Sequence, residues 1–214
     1  MSVRIKICGI TILEDALAAV AAGADALGFV FHPGSPRRLT PDQTAAITRA
    51  LPPSVPRVGV FVDAQSTAVH EAIRVAGLNV LQFHGDESPE FCSRFTPCEV
   101  WKAFRIQDAA SLDRLRDYPG VNAWLLDSYV AGRPGGTGAV FNWDLAREAT
   151  RSGKPLILAG GLTPENVAEA IRHVRPFGVD VSSGVESAPG RKDPDKLRSF
   201  IAAARCAANW SLDT

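Results

Sequence analysis

Residues 155–184 read PLILAGGLTPENVAEAIRHVRPFGVDVSSG, and the order of signals in them decides the fold. Leu156, Ile157 and Leu158 make a short continuous apolar run, as expected of a strand covered on both faces. Gly160-Gly161 ends the run. Thr163-Pro164 follows, a capping side chain before a proline at the first helical position, where the missing N–H costs no hydrogen bond. Val167, Ala170, Ile171 and Val174 then repeat at the spacing of one helix face. A second apolar run, GVDVS at 178–182, restarts the cycle. Strand, turn, cap, helix and strand form the unit of a parallel sheet with crossover helices.

The unit recurs along the chain. RIKIC, ALGFVF, RVGVFV, NVLQF, EVWKAF and NAWLLD are apolar runs of the same kind. Thr11-Ile12-Leu13-Glu14 reads as a capping box, and Thr40-Pro41, Ser88-Pro89 and Asp193-Pro194 as cap–proline starts. Asp63, Asp108 and Asn142 are candidate caps for three further segments. About eight strand–helix alternations predict an α/β fold closed into a single-domain (β/α)8 barrel over residues 1–214, and 214 residues lie near the compact end of that fold. The rival is an open doubly wound sheet, which carries G-x-G-x-x-G after its first strand; here that turn is Cys8-Gly9-Ile10-Thr11. The tail 206–214 shows no motif and takes no role.

Composition narrows the partners. Lys plus Arg and Asp plus Glu both total 23, and no basic stripe is present, so nucleic acid is not expected as a partner. No apolar run approaches the roughly 18 residues of a membrane span, and the residues before the charged first strand lack the basic and apolar regions of a signal peptide, so none is expected. Cys8, Cys92, Cys98 and Cys206 form no CxxC pair and are expected as reduced thiols of a cytoplasmic protein.

In a barrel, chemistry gathers where strands end at the C-terminal face. Strand 1 ends in Cys8, strand 4 runs into His84, and strand 6 ends in Asp127. The loop after strand 2 carries Arg37 and Arg38, either of which suits a carboxylate. Gly160-Gly161 and Ser183-Gly184 end strands 7 and 8, where barrels frequently bind phosphate; the second pair opens a stretch able to form one extra helical turn. A thiol, near 8.5 when unperturbed, is lowered by a cation or a helix N-terminus. Burial disfavours the charge of a carboxyl group, so Cys8 and Asp127 together suit paired proton transfers. Buried filler for Cys8, and a loop or capping carboxylate for Asp127, are about equally compatible with the sequence alone. The histidines show no HxxxH or HxH spacing, and no metal is expected. Lys6 shares the side-chain parity of Cys8 and needs an acidic partner, for which Asp180 is the candidate. Gly135-Gly136-Thr137-Gly138 lacks the Lys-Ser/Thr of a P-loop and reads as a flap over the mouth.

Taken together, KICGIT, GFVF followed by SPR, LQFHGDE, LLDS with GGTG and FNW, AGGLTPENV, and GVDVSSGVES with PGRKD resemble the phosphoribosylanthranilate isomerase family of tryptophan biosynthesis. The motifs run in order from residue 6 to about 193, nearly the full chain. The resemblance implies a cofactor-free Amadori rearrangement of a small phosphorylated substrate, by a monomer or homodimer. It implies Cys8 as general base and Asp127 as general acid, Arg37 against the anthranilate moiety, and His84, Gly160, Gly161, Ser183 and Gly184 among the substrate-binding residues. Asn142 stands where the family pattern has an aspartate. Other phosphosugar barrels, such as indole-glycerol-phosphate synthase or a ribulose-phosphate epimerase, would show catalytic lysines or metal-binding His and Asp; Lys102 alone invites the first comparison. A non-catalytic phosphosugar-binding barrel would keep the glycines and lose the acid and base.

Overall fold

The computed structural model describes residues 3–128 and 143–209. Eight parallel strands close on themselves: β1 (Arg4–Cys8), β2 (Ala26–Val30), β3 (Arg57–Phe61), β4 (Val80–Phe83), β5 (Glu99–Ile106), β6 (Ala123–Ser128), β7 (Leu156–Leu158) and β8 (Gly178–Val181), with β8 returning to pair with β1. This is the (β/α)8 barrel that the alternation predicts. Helices α1 (Leu13–Ala22), α2 (Pro41–Thr48), α3 (Ser66–Ala76), α4 (Pro89–Cys92), α5 (Trp143–Thr150), α6 (Val167–Val174) and α7 (Pro194–Asn209) follow strands 1–4 and 6–8. After β5 the connection is instead a 3₁₀ run, Ala109–Asp117, capped by Asp108 in a reciprocal pair with Ser111.

Strand parity separates two cores. Ile5, Ile7, Leu27, Phe29, Leu81 and Phe83 are buried against the helices, whereas Ala26, Val58, Val80, Trp101, Leu125 and Ile157 pack together inside the barrel. Toward the C-terminal ends the interior-facing positions turn polar: Lys6, Gln82, Asp127 and Asp180 are all buried. Buried polar groups need partners, and theirs define the site.

Thr40 forms a capping box with Gln43, Ser88 accepts from the Phe91 amide, and Asp193 accepts from Asp195 and Lys196 as expected of caps. Three expected caps act elsewhere. The Thr11 hydroxyl donates to the Gly190 carbonyl, and α1 begins at Leu13 without a side-chain cap. Helix α6 begins at Val167, so Thr163 lies one turn short of it; Asn166 bridges the Thr163 amide and the Gly161 carbonyl and braces that loop. Asp63 has φ 47° and accepts from the Asp86 amide, while α3 starts later, at Ser66. Helix α7 continues to Asn209 with Ala207 and Ala208 buried, which places the first part of the supposed tail in the helical shell. Asn142 and the Gly135–Gly138 stretch lie outside the described residues, as do residues 210–214. All four cysteines are free thiols, and among the described residues no helix is long and apolar enough to cross a membrane.

Candidate active site

Strands β4, β6, β7 and β8 bring His84, Asp127, Gly160, Gly161, Ser183 and Gly184 around one cavity of about 60 Å³, which Asp180 also lines. Six of the eight residues singled out in the sequence thus meet at the C-terminal mouth. Gly160 and Gly161 have φ of 83° and 65°, a conformation open to glycine at little cost. Gly184 sits so close to the opposing loop that a Cβ there would fall 1.9 Å from the Leu162 carbonyl oxygen. The two glycine-bearing loops are therefore pressed together as one wall, and Ser183–Val185 forms the extra 3₁₀ turn.

Asp127 is the penultimate residue of β6, its side chain is buried, and its Oδ2 lies 3.3 Å from His84 Nε2. Gln82 Nε2 is 3.2 Å from His84 Nδ1, so with the amide donating, Nδ1 accepts and the Nε2 proton faces Asp127. Gln82 Oε1 is buried without a partner among the described residues.

Cys8 and Arg37 stand at the adjoining corner. Cys8 is buried at the end of β1, opposite Gly28 of β2. Lys6, on the interior face that parity predicts, pairs with Asp180 at 2.8 Å. Burial is the largest influence on the Cys8 thiol and pushes it above its ordinary value; Lys6 and, more weakly, Lys192 oppose this, and Asp180 adds to it. The thiol therefore does not fall below its ordinary value, because burial outweighs the neighbouring cations.

Arg37 reaches the same corner as a fork: its Nε and Nη2 donate to Glu186 Oε1 and Oε2 at 2.7 and 2.6 Å. Glu186 opens β9 (Glu186–Ala188), which pairs with β10 (Arg191–Lys192), and Lys192 Nζ donates to the same carboxylate at 2.8 Å. Burial alone would raise Glu186, but Arg37 and Lys192 outweigh it and hold the carboxyl below its ordinary value. Gly9, with φ 74°, gives Arg37 its path: a Cβ there would lie 2.4 Å from Arg37 Cδ. Arg38 is exposed. Glu186, Lys192, Gln82 and Gly28 were not distinguishable as site residues in the sequence, although Glu186 and Lys192 fall within the quoted VES and PGRKD segments.

Lys102 is not part of this mouth. It sits on the outer side of β5, 3.3 Å from Glu87 and donating to the Gly85 and Ala103 carbonyls, near the Phe104 and Tyr118 rings. A catalytic lysine on β5 is thereby excluded as the reading of this residue. Among the described residues no group of three His, Cys, Asp or Glu side chains is arranged to hold a metal ion.

A closed (β/α)8 barrel that gathers a carboxyl group, an imidazole and two glycine-bearing loops at its C-terminal mouth, with a thiol at the end of β1, has the layout of a barrel enzyme. The family model for N-(5'-phosphoribosyl)anthranilate isomerase matches residues 5–203, and the chain belongs to that family. It is 56% identical over 203 residues to the N-(5'-phosphoribosyl)anthranilate isomerase of Geobacter sulfurreducens, covering 95% of this chain and 98% of the relative. A monomer of the dimeric Thermotoga maritima enzyme superposes with TM-score 0.86 at 42% identity, over 95% of this chain and 99% of that one. A phosphoribosyl anthranilate isomerase in complex with reduced 1-(o-carboxyphenylamino)-1-deoxyribulose 5-phosphate gives TM-score 0.87 at 42% identity, with coverage of 95% and 99%.

Proposed function

We propose that this chain converts N-(5'-phosphoribosyl)anthranilate into 1-(2-carboxyphenylamino)-1-deoxyribulose 5-phosphate without a cofactor, in the cytoplasm, with Asp127 as general acid and Cys8 as general base. Asp127 gives its proton to the ribose ring oxygen, the ring C–O bond breaks, and the anilino nitrogen lone pair closes the iminium. The Cys8 thiolate then takes the proton from the adjacent carbon, leaving an enolamine that tautomerises to the ketone as a proton returns to the first carbon and the hydroxyl proton leaves. The observation that carries this reading is the shared cavity of Asp127, His84 and the β7–β8 glycine wall, beside the corner holding Cys8.

The glycine wall is the proposed phosphate cradle, with Gly160, Gly161, Ser183 and Gly184 around the anion. Arg37 faces the anthranilate moiety. Because Glu186 occupies two of its donors, Arg37 meets that carboxylate as a braced group with the rest of its guanidinium. Two assemblies suit the chain, monomer and homodimer, and the dimeric Thermotoga relative supports the second. Light scattering on the purified chain distinguishes them.

The direct test follows loss of the fluorescent anthranilate-bearing substrate with purified protein and no added metal. Turnover is expected; binding of a product analogue without turnover would reduce the chain to a binding barrel. Gly161→Asp is expected to raise KM by at least about tenfold, because the substitution places a carboxylate against the phosphate and strains a residue with positive φ. An unchanged KM would remove this wall as the phosphate site.

A further inference from the structure

Among the buried polar side chains of the barrel interior, Lys6 and Asp180 form a pair of opposite charges that the acid–base scheme does not use. Lys6 of β1 is 2% exposed and Asp180 of β8 is 8% exposed. The two are register partners, and their side chains meet at 2.8 Å. A buried ion pair is weak support for stability, because losing water offsets much of the attraction. Its position is the informative feature. Lys6 and Cys8 project from the same face of β1, and both fill the space that Gly28 leaves on β2: a Cβ at residue 28 would fall 2.8 Å from Cys8 Sγ and 3.0 Å from Lys6 Nζ. A side chain at position 28 would force the thiol to shift and crowd the end of Lys6.

We propose that the Lys6–Asp180 pair is the positioning element of Cys8: the Lys6 ammonium lies beside the thiol and stabilises its thiolate, and Asp180 holds the ammonium there. This rests on the reading of Cys8 as the base. The charged groups facing Cys8 are Lys6 from β1, Asp180 from β8, Lys192 from β10 and Arg37 from the loop after β2. His84 and Asp127 stand across the mouth. Lys192 and Arg37 are both bound to Glu186, so their charge is largely answered before it reaches the thiol. Lys6 acts most strongly of the cations. Lys6 and Asp180 therefore pull the thiol in opposite directions, and Lys6 dominates.

The test is the pH dependence of iodoacetamide alkylation at Cys8, read by mass spectrometry of its peptide so that Cys98 and Cys206 do not contribute. In the parent chain the midpoint is expected above the ordinary thiol value of about 8.5. The paired variant Lys6→Met/Asp180→Asn leaves no lone buried charge; its midpoint is expected to rise, with alkylation at fixed pH slowed by about threefold or more. Asp180→Asn alone keeps an amide oxygen that accepts from Lys6 and holds the ammonium in place while removing the negative charge, so it is expected to move the midpoint down and to quicken alkylation by a similar factor. If Asp180→Asn does not fold, the paired variant decides by itself. Midpoints that stay in place, or that move the same way in both variants, would overturn the proposal, since a purely structural pair has no reason to shift the thiol in opposite senses. Turnover by Cys8→Ser tests the underlying reading separately: an active Cys8→Ser enzyme removes Cys8 as base, whereas an inactive one with unmoved midpoints removes only the role of Lys6 and Asp180.

Discussion

Replacing Cys8 by serine is expected to lower kcat by at least about 10²-fold while the melting temperature and circular dichroism stay those of the parent chain. The substitution exchanges one small side chain for another at a buried strand end facing Gly28, so the packing around it is kept. The new hydroxyl can keep company with Lys6. What changes is basicity. A serine hydroxyl does not release its proton at any working pH, and nothing beside it is placed to take that proton: Lys6 is held by Asp180, and Lys192 by Glu186. The enolamine-forming step therefore loses its base, whereas ring opening and substrate binding keep their residues. KM is expected to change by less than about threefold, because a group used only in the transition state lowers kcat and kcat/KM together. Stopped-flow and steady-state fluorescence of the substrate separate these quantities. A rate near that of the parent chain would leave Cys8 as packing.

Much of the barrel was legible because its signals are local. A proline after Thr40 or Ser88 marks a helix start whatever lies elsewhere, and both positions cap as read. Parity along β1 was enough to send Lys6 inward with Cys8; it did not select Asp180, a guess at the acidic partner that the fold brings to Lys6. Expectations failed where a distant segment competes for the same side chain. The Thr11 hydroxyl has the sequence context of a cap, yet it serves Gly190, 179 residues away. Asp63 is taken by the Asp86 amide at the end of β4, which leaves α3 to begin without it. The same reasoning explains the missing members of the site. Glu186 carries no local sign of its role, because its partner Arg37 lies 149 residues earlier and Lys192 reaches it only after the β9–β10 hairpin has turned. Family motifs marked these segments; the fork between them is a product of tertiary folding.

Asp127→Asn should bind the product analogue and fail to turn the substrate over. Asp127 lies near the end of β6 beside Arg105 of β5, with the His84 imidazole 3.3 Å from Oδ2. Asparagine keeps the shape of the side chain and can still accept from His84 Nε2 through its carbonyl, so the cavity wall and the glycine cradle are expected to stay in place. It carries no carboxylic proton. The ribose ring oxygen would then have to leave as an alkoxide, and a general acid at such a position contributes about 10²–10⁴-fold in rate. Equilibrium titration with the reduced product analogue should give a Kd within about threefold of the parent value, alongside a kcat lowered by at least about 10²-fold. Loss of both together would make Asp127 a residue that holds the sugar. Retention of both would hand the first proton to another group, and His84, whose imidazole lies 3.3 Å from Asp127, would be the next to replace.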